Sequence, residues 1–200
     1  MSDAEAPYHH GNLRAALLER AEAVLAATGP DGVSLRALAR DLGVSHAAPG
    51  RHFRDRQALF DALAVSGFTR LNGRLRAAAE GPGTVTEALA RLGRAYVEFA
   101  VGHAALVGLM FTAKHADGSS EELRALGHGS LEAAAELIAR AQRDGAVRAG
   151  DPGRLAQVAF STLHGLAVLA VGDLLDDTPL DEATELALDV LLTGLAAPPA

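Results

Sequence analysis

The spacing of alanine and leucine restricts this 200-residue chain to a helical fold. Apolar residues recur three and four positions apart along most of its length, which places them on one face of an α-helix. Strands would need an apolar residue at every second position, together with many β-branched and aromatic residues, and no such alternation is sustained. We therefore predict an all-α protein of about nine helices.

Turn and capping residues divide the chain into these helices. Serine or aspartate precedes several of them, and glycine or proline follows. The segment Gly81-Pro82-Gly83 is the strongest break. The predicted helices cover residues 12–28, 34–42, 45–53, 56–79, 86–101, 103–113, 120–144, 152–175 with a weak point at Gly172, and 181–195.

Two short predicted helices meet at Leu42-Gly43-Val44-Ser45. Glycine permits a sharp turn, and Val44 precedes the serine, where its side chain can pack back on the next helix. This spacing is typical of a helix-turn-helix, which offers the start of its second helix to the major groove of DNA. The spacing alone also allows two small packing helices beside a solvated arginine face.

Under the DNA-binding interpretation, the start of the second helix contacts base edges and its later part contacts backbone phosphates. The residues predicted at base edges are Ser45, His46, Ala47 and Ala48. Those predicted at phosphates are Arg51, His52 and Arg56.

The net charge of −7 does not exclude a nucleic-acid partner. Residues 1–56 hold seven arginines and seven acidic residues, so the negative excess follows residue 56. Residues 34–56 contain five arginines and only two aspartates. Phosphate binding needs a basic surface where the duplex lies, and this segment can provide it.

Two ungapped stretches resemble the signature of the TetR (tetracycline repressor, AcrR-like) family of transcriptional regulators. They are Val33-Ser34-Leu35-Arg36-Ala37-Leu38-Ala39-Arg40-Asp41-Leu42-Gly43-Val44-Ser45 and Arg51-His52-Phe53-Arg54-Asp55-Arg56-Gln57-Ala58-Leu59. Tyr8-His9-His10-Gly11-Asn12-Leu13-Arg14 and Leu163-His164-Gly165-Leu166-Ala167 are similar to a branch named for a Trp-His-Gly pattern in its C-terminal domain. Phe160 stands where that branch has tryptophan.

The resemblance implies a helix-turn-helix DNA-binding domain over residues 1–56, a connecting fourth helix over 56–79, and a ligand-binding and dimerisation domain over 57–200. It places Ser34 and Arg36 near backbone phosphate, and Arg56 where a lysine usually holds phosphate. The implied partners are a double-stranded DNA operator and a small-molecule effector of unknown identity. Repression is the expected action.

Gly50 departs from the family pattern, because a tyrosine whose hydroxyl grips phosphate usually stands there. Glycine inside a helix costs about 1 kcal/mol relative to alanine, and Pro49 beside it lacks a backbone donor. We therefore expect a loose recognition helix and weakened operator affinity.

The last two predicted helices carry apolar residues on more than one face and so need two partners. In the family they pair with their copies across a two-fold axis, which predicts a homodimer. A ligand pocket is expected among the middle helices. Its candidate lining residues, each of which could instead be plain core, are Phe99, Leu109, Met110, Phe111, Leu131, Phe160 and His164.

Other classes of protein lack support. The chain has no cysteine and no spacing typical of a catalytic or phosphate-binding motif, so we predict no catalytic residue, cofactor or metal site. A metal sensor built from scattered histidines with Asp117 or Glu121 is a weak alternative.

No run of 18 apolar residues and no signal-peptide pattern at Met1–Pro7 is present, so we expect a cytoplasmic protein without membrane contact. A small-molecule-binding or interaction protein of the same ancestry, with weak DNA binding, is the main alternative.

Overall fold

Eight α-helices make up the part of the chain that the computed structural model describes, residues 13–116 and 118–196. They are α1 (Leu13–Thr28), α2 (Leu35–Asp41), α3 (Arg56–Ala79), α4 (Val85–Gly102), α5 (Ala104–His115), α6 (Glu121–Arg143), α7 (Pro152–Val171) and α8 (Leu180–Leu195). The one β-type pairing in these ranges is an isolated bridge between Val147 and Ala196. The all-α prediction is confirmed.

Side-chain caps fix where several helices begin. The Ser34 hydroxyl accepts a hydrogen bond from the Ala37 amide at 3.2 Å, and the Ser120 hydroxyl accepts one from the Leu123 amide at 3.1 Å. The Asp151 carboxylate accepts from two amides at the start of α7. These bonds satisfy amides that have no partner inside the helix. At the other end of α7, Gly172 is the C-cap, at the predicted weak point.

The predicted third helix, residues 45–53, is wrong as a regular α-helix. The chain there forms successive tight turns, with a short 3₁₀ segment at Pro49–Arg51. The Ala48 amide donates to the Ser45 carbonyl at 2.9 Å, a three-residue bond, because Pro49 has no N–H to make the four-residue bond to that carbonyl. Gly50 adds backbone freedom that opposes helix formation. This segment accounts for the difference between nine predicted and eight observed α-helices.

Two compact units divide between Leu63 and Ala64, and helix α3 runs through the division. In the first unit, α1 packs against α2 around a core that includes Leu17, Leu25, Leu38 and Phe53. The Arg20 guanidinium donates two hydrogen bonds, at 3.0 and 2.8 Å, to one Asp41 carboxylate oxygen. This contact joins α1 to the last residue of α2.

In the second unit, α7 packs against α4, α6 and α8. Gly93 allows α4 to lie close to α7 and α8. A Cβ at that position would be 2.5 Å from Leu188 Cδ2 on α8 and 3.1 Å from Leu163 Cδ1 on α7. The Arg148 amide donates to the Leu195 carbonyl at 2.8 Å and holds the end of α8 beside the loop that follows α6.

Helix α7 is long and apolar enough to cross a membrane, although only 17% of its most apolar window is buried within this chain. The bent pair α4 and α5 meets the same criterion only if it is counted as one span. One or two such helices are weak evidence for a membrane protein, because a core helix of a soluble protein can have this length and composition.

Candidate DNA-binding and ligand-binding sites

The turn after α2 is a Schellman motif, which ends a helix with two backbone hydrogen bonds. The Val44 amide donates to the Ala39 carbonyl at 3.0 Å, and the Gly43 amide donates to the Arg40 carbonyl at 3.1 Å. Gly43 has φ of 66°, a left-handed conformation that costs side-chain-bearing residues energy. This turn sends the chain from α2 into the segment Ser45–His52, which we call the recognition segment.

Most residues predicted to contact DNA are accessible to a ligand. Pro49 is buried, so the recognition segment packs against the rest of the first unit at this residue, while most of its other side chains are exposed. Ala48 is half-buried. The exposed members of the predicted set are Ser34, Arg36, Ser45, His46, Ala47, Arg51, His52 and Arg56.

Arg36 and Arg51 differ from their basic neighbours because no acidic residue in the described part of the chain pairs with them. Arg54 lies 3.2 Å from the Asp55 carboxylate, and Arg40 lies 3.8 Å from that of Asp41. In the described ranges, no carboxylate is within ion-pair distance of Arg36 or Arg51. Their guanidinium groups are thus available to an external anion.

Arg56 is engaged inside the first unit. Its guanidinium donates to the Pro30 carbonyl, lies 3.6 Å from the Asp31 carboxylate, and sits over the Phe60 ring at 4.7 Å from the centroid. These contacts tie the start of α3 to the turn at Pro30–Gly32. Sequence reasoning missed this role because it depends on residues 26 positions apart.

A cavity of about 310 Å³ lies in the second unit, and three of the predicted ligand-pocket residues line it: Phe111, Leu131 and Phe160. Phe99 and Met110 are instead fully buried core residues, and Leu109 is half-buried. His164 lines a separate depression of about 200 Å³ together with Phe111, and the 310 Å³ cavity is the larger of these two. Another cavity in this unit, of about 440 Å³, holds none of the predicted residues. Only part of the predicted ligand-pocket set therefore lies around one cavity.

His164 has a hydrogen-bond partner within the protein. Its Nδ1 lies 2.7 Å from the Tyr96 hydroxyl, and its ring stacks on Phe160 with centroids 5.3 Å apart. Burial lowers the pKa of His164 and raises that of Tyr96. A neutral imidazole whose Nδ1 accepts a hydrogen bond from the neutral Tyr96 hydroxyl fits both directions. Tyr96, which sequence reasoning missed, also lines the larger cavity.

Lys114 is the other group that sequence reasoning missed. Its side chain lines the larger cavity, and its ammonium donates to the Gly127 carbonyl at 2.9 Å. The sequence carried a signal, because Lys114 is the single lysine beside 17 arginines.

No cluster suited to a metal ion is found in the described ranges. Asp117, named in the metal-sensor alternative, lies outside the described residues, as does Tyr8-His9-His10-Gly11-Asn12 of the N-terminal resemblance.

Two family models match the chain at the positions of these two sites. Residues 17–63 match the model described as "Bacterial regulatory proteins, tetR family", and residues 89–193 match "Tetracyclin repressor-like, C-terminal domain". The chain belongs to the TetR family. It has the DNA-binding and C-terminal domains of a TetR-family transcriptional regulator. The narrower assignment to a Trp-His-Gly branch stays a prediction.

Solved structures agree with this family membership. A protein of unknown function from Rhodococcus sp. RHA1 is 49% identical, with a TM-score of 0.89 over 96% of this chain and 100% of that one. The TetR family transcriptional regulator PfmR from Thermus thermophilus shares the fold at 20% identity, with a TM-score of 0.73 over 88% and 97%. A putative tetR family regulator from Shewanella sp. PV-4 shares it at 18% identity, with a TM-score of 0.70 over 92% and 98%. A comparison with curated protein sequences gave no match.

The Tyr96–His164 pair predicts a stability change in mildly acidic solution. The pKa of His164 in the folded protein is below its ordinary value of 6.5. The contribution of neutral His164 to the free energy of unfolding is therefore fully present above pH 6.5 and is lost as the pH falls below that value. Urea unfolding of wild type and His164→Gln at several pH values, at one protein concentration, measures this. We expect a steeper loss of unfolding free energy below pH 6.5 in wild type, and equal pH slopes in the two proteins would contradict the assignment.

Proposed function

We propose that this TetR-family protein binds a DNA operator as a homodimer in the cytoplasm and represses transcription until a small-molecule effector releases it. The observation that carries the proposal is the exposed recognition segment with its Arg51, together with Arg36 on α2; neither arginine has an acidic partner in the described ranges. TetR-family regulators are generally non-enzymatic DNA-binding proteins, so the proposal includes no catalysed reaction.

In this proposal the recognition segment enters the major groove. Ser45, His46 and Ala47 face base edges, and the half-buried Ala48 sets how closely the backbone approaches. Phosphates on either side are bound by Arg36 and Arg51, with Ser34 and His52 as further hydrogen-bonding groups. Arg56 contributes less, because its guanidinium already has partners in the first unit.

A second copy of the chain is proposed to cover the outer faces of α7 and α8. Large apolar side chains are exposed there, with Val158, Leu186 and Val190 each more than 60% exposed. Exposed apolar patches of this kind mark interaction sites. Two copies related by a two-fold axis would present two recognition segments to the two half-sites of an inverted repeat.

Effector release requires two states of the dimer with different DNA affinities. An effector in the larger cavity would shift the population toward the state in which the recognition segments no longer match the half-sites. The shift is limited by the effector's own preference for that state.

The second candidate function is a small-molecule-binding or interaction protein of TetR ancestry with weak DNA binding. It is favoured by the irregular recognition segment, where Pro49 and Gly50 replace a regular helix with turns. Binding to the DNA adjoining the gene at physiological salt separates the two candidates.

Removing Arg36 and Arg51 tests the DNA-binding proposal. Arg36→Ala/Arg51→Ala should weaken binding to an inverted repeat from the adjoining DNA and reduce the slope of log affinity against log salt by about one per arginine. Fluorescence anisotropy at several salt concentrations measures both quantities. Arg143→Ala, which removes an exposed arginine near the end of α6, is the control and should leave the slope unchanged. An unchanged slope in the double variant would refute the proposed interface.

Restoring the family tyrosine tests the register of the recognition segment. Gly50 is exposed, and an added Cβ meets nothing within 4 Å, so the backbone here can carry a side chain without a clash at its first carbon. We expect tighter operator binding at fixed salt, because the hydroxyl regains a phosphate contact.

Gly50→Phe is the matched control for this change, since it reduces backbone freedom equally but has no hydroxyl. An affinity gain with tyrosine and a smaller gain with phenylalanine support the register. Identical affinities for wild type and Gly50→Tyr count against it.

A further inference from the structure

The larger cavity combines apolar walls with one cationic group. Its walls include the rings of Phe68, Phe111 and Phe160, with Phe68 and Phe111 edge to face at 5.8 Å between centroids. A volume of about 310 Å³ is enough for a small organic molecule. The walls therefore favour a ligand with a hydrocarbon or aromatic body.

Lys114 supplies the cation from the last turn of α5. Its Nζ donates to the Gly127 carbonyl on α6 at 2.9 Å, which leaves two of its three N–H groups for another acceptor. Gly127 also makes room for the side chain, because a Cβ there would lie 2.5 Å from Lys114 Cδ. Gly127 thus holds the ammonium at the cavity in two ways: its missing side chain leaves space for that of Lys114, and its carbonyl accepts a hydrogen bond from Nζ.

Among the residues that the structure describes, none balances the charge of Lys114. In the described ranges, no carboxylate lies within ion-pair distance of this ammonium, and the cavity lining contains neither aspartate nor glutamate. The other titratable groups facing the cavity are Tyr96, His115 and His128. Burial lowers the pKa of Lys114, so holding the cation here without an anion has a free-energy cost.

We infer that the effector is an organic carboxylate with an apolar body, whose carboxylate pairs with Lys114 while its body lies against the aromatic walls. This inference rests on the proposed effector-binding function and gives it a ligand class. A charge-assisted hydrogen bond in a partly desolvated site is stronger than a neutral one, so the carboxylate determines selectivity. The contrasting role for Lys114 is structural, since a cation stabilises the end of a helix.

The test compares three probes that share one body: 4-phenylbutyrate, its primary amide, and 4-phenylbutylamine. Calorimetric titration of the full-length protein should give the tightest binding for the carboxylate, weaker binding for the amide and the weakest for the amine. Lys114→Met should weaken carboxylate binding by about tenfold or more and leave the amide unchanged. Arg143→Met, which removes a cation away from the cavity, should leave all three affinities unchanged.

A measurement on the unmodified sequence complements the variant. Protein labelled with ¹⁵N at the lysine side chain gives one side-chain signal, because the chain has one lysine. The carboxylate probe should shift that signal more than the amide or the amine does. Equal affinities of wild type for the three probes, no binding of any probe, or a carboxylate preference that survives in Lys114→Met would overturn the inference.

Operator binding is measured separately with and without 4-phenylbutyrate. Selective binding of the carboxylate with no effect on DNA affinity would support the ligand class and contradict effector-controlled release. Loss of DNA binding in the presence of 4-phenylbutyrate, without selectivity for the carboxylate, would support effector-controlled release and contradict the ligand class.

Discussion

The left-handed turn at Gly43 determines what the N-terminal unit can present to a partner. Two backbone hydrogen bonds close α2 there, and the positive φ of Gly43 sets the direction in which the chain leaves the helix. A residue with a side chain would adopt that conformation only at a cost in free energy. The Arg20–Asp41 contact fixes the end of α2 to α1, so the start of the recognition segment has a defined position. The proposed DNA interface depends on this geometry.

Helix positions could be predicted from sequence where the signals are local. Ser34, Ser120 and Asp151 cap their own helices, and such bonds involve residues two or three positions apart. Thr84 forms a capping box with Glu87, a pattern that was present in the sequence and places the start of α4 one residue before the predicted one. Local chemistry is sufficient in these cases because a helix start needs only its own first turn.

The recognition segment and Arg56 show where local patterns are insufficient. The apolar spacing and the family resemblance favoured a helix over residues 45–53, but one missing amide at Pro49 shifts the bonding to three-residue turns. Arg56 binds the Pro30 carbonyl, a contact that only the tertiary arrangement creates. In the second unit, helical periodicity identified apolar residues without separating buried core, such as Phe99, from cavity lining, such as Phe111.

Hydrogen exchange of the backbone amides, with and without DNA that carries the inverted repeat, tests the central claim most directly. The account predicts fast exchange in Ser45–His52 of the free protein, because the turns there lack a regular helical ladder, and slower exchange when DNA is bound. Amides at the exposed face of α7 and α8 should not respond to DNA. DNA binding that leaves exchange in Ser45–His52 unchanged would contradict the claim that this segment meets the groove.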